Sequence, residues 1–317
     1  MKVILIKNNN PFDITDLVQN VSWGGNINQV SRSLTFQILY SEDYYTPKLS
    51  IDNGDLVKLL DQEEKIIISG VVFTKVTDRA GGTINITVYD PLIYLTKNMT
   101  TKVVDNIRVT EFITSLCDEF GITIAKIPSI QSKLEGVFRD MSLYDMILKA
   151  LEEYTQLTQI DYLMKMDSKG LVIETLGHEG ILIDLETGSD EIYTITVTES
   201  IEALRNVVLV RGKGDNIFAE AVNAEMISRY GRMQHQVTED NMDRSKSKIY
   251  AQNLLKDLCK ASVDISLQMK GNVSIKAGDK LTLVDKGLGI DETYIIEEDG
   301  HNMTESGYTM HLKLIKR

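Results

Sequence analysis

The 317-residue chain predicts a mainly β fold with an α+β insertion: two similar small β-barrels, one at each end, separated by a unit of helices and a hairpin. Three observations carry this. The phrase GDLVKLLD (Gly54–Asp61) returns as GDKLTLVD (Gly278–Asp285), sharing its glycine, both aspartates and a leucine. Each phrase is followed by strand-like runs that close on period-two alternation. Between the two, apolar residues fall at three- and four-residue spacing instead.

The first barrel is expected over residues 1–97. MKVILIK reads as an opening strand, and VSWGGNINQV as a strand broken by the pair Gly24–Gly25. Trp23 beside that pair reads as a barrel plug in preference to a ligand-stacking platform. SRSLTFQILY sets Leu34, Phe36, Ile38 and Tyr40 on one face. After the first GD phrase, Ile84, Ile86 and Val88 alternate with Thr83, Asn85 and Thr87. Pro91 then stops the strand, since proline has no amide to donate to a ladder, and Leu92, Tyr94 and Leu95 come after it.

Residues 98–190 predict the α+β insert. Val109, Phe112, Ile113, Leu116, Cys117 and Phe120 form one helical stripe, ended by Gly121. Leu143, Met146, Ile147, Ala150, Leu151 and Tyr154 form a second. Ser142 serves as its N-cap, and Met141 staples against Met146. A hairpin turning at Asp167–Gly170 gives both helices something to lie on. Residues 191–317 predict the second barrel, interrupted by one helix at about 244–260. In its closing strand Met310, Leu312 and Leu314 alternate with Thr309, His311 and Lys313.

Glycine–aspartate before a strand is ordinary turn chemistry, so convergence and duplication both explain the echo. The likeness of the strand-like runs after the two phrases favours a duplicated barrel.

The formal net charge of −12 argues against a general nucleic-acid binder, which needs cations to neutralise phosphates. It allows a surface that nucleic acid slides past. No apolar run approaches the roughly 18–20 residues that span a bilayer, and the N-terminus lacks a signal-peptide pattern. Synthesis and folding in a cytoplasm are expected, with no membrane insertion. Cys117 and Cys259 read as small buried hydrophobes, a disulfide being the lesser reading. Two cysteines are too few for a thiolate metal cage.

No residue is put forward as catalytic, cofactor-binding or metal-binding. His178, His235, His301 and His311 each stand alone. His178 in GHEG has Leu182 four residues on and glycines around it, which rules out a zinc-protease helix. His301 follows Gly300 in an expected turn, where a structural hydrogen bond is its reading. GKGD (Gly212–Asp215) reads as a turn, lacking phosphate-loop spacing. Asp184, Glu186, Asp190 and Glu191, like Glu152 and Glu153, read as solvated acidic faces, a loose calcium site being the remoter reading.

ITVYDPLIYLTKN, with Tyr89, Asp90, Pro91 and Leu92, resembles a signature of phage baseplate hub proteins. SIEALRNVVLVRGKG, SRYGRMQHQV and AQNLLKDL come next in that family's order. So does the terminal stretch with Gly278, Asp279 and His301, which Gly54 and Asp55 echo. The resemblance is to the XkdQ-like, late-control-D-type hub of contractile tails and tail-like bacteriocins, and it covers nearly the whole chain. It implies two tube-like barrels with a helical insertion, a non-enzymatic homotrimer, and a place in the baseplate of a virion or tail-like particle. The implied partners are a six-fold tail tube, a three-fold central spike, and other baseplate or LysM-type tail proteins. Three copies of two barrels would present six units to the ring above. An acidic channel lining that repels DNA is a further expectation. The rival classes are a cell-wall hydrolase, a glycan-binding tail component and an adhesin.

Overall fold

In the computed structural model, residues 1–39, 50–177, 183–186, 191–212, 216–239 and 242–316 are described, 183–186 by their backbone alone. Tyr40, the GHEG histidine, most of GKGD, Asp190 and the side chains of Asp184 and Glu186 lie outside the described residues.

Strands dominate. The first region holds β1 (Lys2–Lys7), β2 (Asn10–Asp13), β3 (Val18–Asn26), β4 (Ser33–Leu39), β5 (Leu56–Leu60), β6 (Ile66–Asp78) and β7 (Thr83–Tyr89). Next come α1 (Ile93–Lys97), β8 (Met99–Arg108), α2 (Val109–Glu119), β9 (Ile124–Lys126), β10 (Lys133–Ser142), α3 (Leu143–Thr158), β11 (Tyr162–Asp167) and β12 (Gly170–Thr175). After β13 (Ile183–Glu186) and β14 (Ile192–Ser200) the chain makes β15 (Val207–Arg211), β16 (Ile217–Val222), α4 (Ala224–Tyr230), β17 (Gln234–Thr238) and α5 (Arg244–Leu258). It closes with β18 (Ser262–Lys270), β19 (Lys280–Asp285), β20 (Ile290–Thr304) and β21 (Gly307–Ile315).

One continuous sheet runs β14-β18-β21-β20-β3-β4-β7-β6-β5-β1-β2, with β19 beside β20 and β13 beside β19. Its two halves share one plan. The order β3-β4-β7-β6-β5-β1 on one side matches β14-β18-β21-β20-β19-β13 on the other. Register matches too: Leu56 pairs Val71 as Lys280 pairs Ile295, and both ladders carry a bulge, between Val72 and Thr74 and between Ile296 and Glu298. The outer neighbours differ, since β1 runs antiparallel to β5 and β13 parallel to β19.

The four identities of the GD echo each have a physical job. Gly54 and Gly278 sit at φ +98° and +96°, a region L side chains avoid. Gly54 N–H donates to the Val72 carbonyl and Val72 N–H returns to Asp55; Gly278, Ile296 and Asp279 repeat the exchange. Asp55 Oδ2 accepts from Asp52 N–H at 2.9 Å, and Asp279 Oδ2 from Lys276 N–H at 3.0 Å. Leu59 and Leu283 are fully buried. Asp61 Oδ1 accepts from the Glu63 and Lys65 amides, and Asp285 Oδ1 from Leu288, closing the next turn.

Each half curls around its own core. Leu34, Phe36, Ile84, Ile86 and Val88 fill the first; Ile265, Leu267, Met310, Leu312 and Leu314 fill the second. At the far end of the first half β1 folds back on β2, and Ile14 N–H extends that ladder by donating to the Val3 carbonyl. The helices α2 and α3 bury the predicted stripes against Leu134, Phe138, Leu171 and Ile173. Ser142 caps α3, its hydroxyl accepting from Asp145 N–H.

Three expectations change. Gly24 and Gly25 do not break their strand; β3 runs through them. A Cβ on Gly24 would lie 2.3 Å from the Asp299 carbonyl oxygen, so glycine lets two backbones approach. His301 lies within β20 and not in a turn, because β20 continues past β19 to pair with β3. Between β14 and β18 the described residues hold two helices where one was expected, with a sheet ordered β16-β15-β17 and α5 laid on it through Tyr250 and Ala251. Cys117 is buried and Cys259 half-buried, and both are free thiols.

Candidate functional site

Among the described residues, buried Asp90, Asp299 and His301 gather where the halves meet. The second part of β20 pairs with β3: Asp299 faces Gly25, Gly300 faces Gly24, His301 faces Trp23 and Asn302 faces Ser22. The Trp23 and His301 rings stack with centroids 4.9 Å apart and planes 2° from parallel, and Tyr308 tilts against Trp23 at 5.4 Å. Trp23 is buried, a plug as predicted, and it plugs by joining the halves.

Beneath the stack, Arg32 from the β3–β4 connection grips Asp299 with its two terminal guanidinium nitrogens, at 2.7 and 2.5 Å, while its Nε is buried without a partner. Ala277 N–H donates to the same carboxylate at 2.7 Å, and His301 Nε2 lies 3.1 Å from it. With its proton on Nε2, His301 donates to Asp299 and accepts from the Tyr308 hydroxyl through Nδ1, a 2.7 Å contact. Burial alone would raise the Asp299 pKa; the Arg32 and His301 hydrogen bonds overcome it and hold the carboxyl well below the usual carboxylate range.

Asp90 anchors the other side of Arg32. Its Oδ2 accepts from the Arg32 amide and its Oδ1 from the Leu92 amide, each at 3.0 Å, which fixes the turn through Pro91 into α1. Burial pushes this carboxyl up to about 6, with the amides and Arg32 opposing. Tyr89 ends β7 opposite Ser33, and Phe73 packs edge-on to its ring. The insert reaches the same place: Leu163 of β11 crowds Gly278, and Lys165 adds charge near Asp279, whose carboxyl burial raises.

Of the residues singled out in the sequence, Asp90, Leu92, Gly278, Asp279 and His301 therefore converge around this junction. Gly54 and Asp55 hold the equivalent turn in the first half. Arg32, Asp299, Trp23 and Tyr308 complete the cluster. Arg32 and Asp299 had no local motif; their signal is long-range pairing across 267 residues.

Asp–His–Tyr in a hydrogen-bonded row is also how a general base is built. Here His301 is 2% exposed and roofed by Trp23, and each partner is committed. The cavity on the Arg32 side, about 60 Å³ between Arg32, Asp90, Leu163 and Ala277, is far below the roughly 300–1,000 Å³ of small-molecule sites. A larger one of about 550 Å³ borders Tyr308 beside Met269 and Lys270, but neither His301 nor Asp299 lines it. The arrangement is a clasp: it fixes how two β halves and an insert sit together. Among the described residues no His, Cys, Asp and Glu group has the geometry to hold a metal.

Residues 21–315 match a family model described as YQBQ-like. Two proteins of Bacillus subtilis (strain 168) are similar along nearly their whole length. The chain is 29% identical to the uncharacterised protein YqbQ over 312 residues, 95% of this chain and 93% of that one. It is 24% identical to the phage-like element PBSX protein XkdQ over 306 residues, with the same coverage. In fold it is similar to the 43 kDa tail protein of prophage MuSo2 from Shewanella oneidensis, with a TM-score of 0.74 at 13% identity, covering 100% of this chain and 98% of that one.

Proposed function

The chain belongs to the YQBQ-like family, and from that premise we propose that it is a structural part of a phage-type tail: a baseplate hub, three copies of which join a six-fold tail tube to a three-fold spike. The observation that carries this reading is the internal duplication, with one strand order, register, bulge and turn built twice in a single sheet. Three such chains offer six near-equivalent barrels about one axis while remaining three-fold. The phage-like element relative and the tail-protein fold support the setting.

The sheet face opposite the cores suits contact with passing cargo. Ser22 donates to Asn302, Asn20 to Gln37, and Gln37 to Asn85, a ladder of neutral amides and hydroxyls. A channel lined by this face would be polar, with neutral ladders in the first half and the Lys313–Glu297 and Lys313–Asp264 ion pairs in the second.

Solution mass with and without the cognate spike tests the reading: a three-copy species is expected, at least once the spike is added. A chain that stays monomeric with spike and tube present, or that clears cell wall alone in a zymogram, overturns it.

A further inference from the structure

The junction within the chain predicts a junction between chains. The seam is made by the free edge of β3 and the overhanging second part of β20. Each has a counterpart in the other half. β14 occupies the place of β3, and among the described residues it pairs with β18 alone. β6 occupies the place of β20: it pairs with β5 as far as Val71, Val72 exchanges backbone hydrogen bonds with Gly54 and Asp55, and the strand then runs on to Asp78 with its far edge outside any ladder among the described residues. Residues 74–78 of that overhang are all exposed. Unpaired edges are templates for a further strand.

We propose that β14 of one copy pairs antiparallel with the β6 overhang of the next, repeating the internal seam and closing a ring; this rests on the three-copy reading above. The internal register fixes the external one. Trp23 and Val197 are equivalent because each faces the matching strand residue, Leu34 or Ile265. Asp299 and Lys75 are equivalent because they come after the same bulge and face Leu312 and Ile86. Carrying Gly25–Asp299 across therefore sets Glu199 opposite Lys75 of the next copy. It likewise sets Thr198 opposite Val76, Val197 opposite Thr77 and Thr196 opposite Asp78.

The result is chemically consistent. Opposite charges meet at Lys75–Glu199, on the face where Arg32 and Asp299 meet in the internal seam. Lys75 already donates to the Ile51 carbonyl at 2.8 Å, so its side chain is held near the edge. The ring seam lacks the paired glycines and the Trp–His stack, and has threonine and valine there instead. The contact is head-to-tail, so it forms a ring where the rotation closes.

Two variants test the register. The full chain carrying Val76→Cys and Thr198→Cys is oxidised and run without reductant, with solution mass measured in parallel. Covalent dimers and trimers are expected. Wild type, holding only Cys117 and Cys259, and the shifted pair Val76→Cys/Thr196→Cys should give background. A trimeric mass without the 76–198 cross-link overturns the seam and leaves the three-copy reading standing; a monomer without cross-links, with the cognate spike and tube present, overturns both. Lys75→Glu or Glu199→Lys alone should weaken association by up to about fivefold per seam, and the double reversal should restore it. Glu199 is exposed, so its variant tests association apart from folding. Failure of the double reversal to recover binding, with both singles weakened, would refute the pairing.

Discussion

The two β halves are the same machine with different fittings. They share strand order, ladder register, the bulge on the long strand and the positive-φ glycine before the fifth strand of the unit. They diverge at what the shared parts touch. Where β20 carries buried Asp299 and His301, β6 carries exposed Lys75 and Thr77. Where β7 leads into buried Asp90, β21 leads into Lys316, which reaches outward to Glu292 at 2.7 Å. The repeated features answer local needs: a turn to be closed, a strand to be bent, a core to be filled. The unrepeated ones answer a neighbour, which is why they collect at the seam.

Substitutions at equivalent positions separate the two kinds of feature. The largest contrast is expected between Asp299→Ala and Lys75→Ala. Removing Asp299 leaves the Arg32 guanidinium uncompensated inside the seam, at about 3–5 kcal/mol. Lys75→Ala should stay within about 0.5 kcal/mol; urea midpoints measure both.

The pH profile comes next. Asp90 has a folded pKa of about 6 against 3.8 unperturbed, so the folded state keeps a proton that the unfolded chain has lost. Stability is therefore expected to fall by about 2 kcal/mol as pH rises from 4 to 7 at this site. Asp299 has the opposite sign: its lowered pKa contributes stability above about pH 4 that is lost on acidification. Asp90→Asn should flatten the fall between pH 4 and 7, read from denaturation at several pH values; an unchanged slope would assign it elsewhere.

Gly24→Ala should cost about 1–3 kcal/mol, since its Cβ meets backbone and the strands must part. The finest contrast is in the GD turns. Gly54→Ala and Gly278→Ala each incur about 1–2 kcal/mol for the left-handed backbone. Gly278→Ala should cost more, because its Cβ would meet the Leu163 side chain at 2.5 Å while that of Gly54 meets nothing. Equal values would mean that the insert yields freely there.

The sequence disclosed what depends on near neighbours. Period-two alternation located the core faces of β4, β7 and β21; Ser142 and Gly121 marked helix ends; eight residues heard twice revealed the duplication. It misread Gly24–Gly25 because a glycine that breaks a strand and one that admits another backbone look alike until the partner is known. His301 was misassigned to a turn for the same reason: Gly300 looks like punctuation, and only β3 makes it strand. Arg32–Asp299 was silent, since nothing local couples residues 267 positions apart.

The seam also sets a timetable. β1 to β7 are complete by Tyr89, whereas the part of β20 that covers β3 begins at Glu298, about two hundred residues later. At roughly 5–20 residues per second of translation, the first half waits on the order of 10–40 s with that edge open. An edge carrying Asn20, Gly24, Gly25 and Asn26 offers poor purchase to stray strands. The same glycines that admit β20 at the end of synthesis thus help keep the nascent chain from pairing too soon.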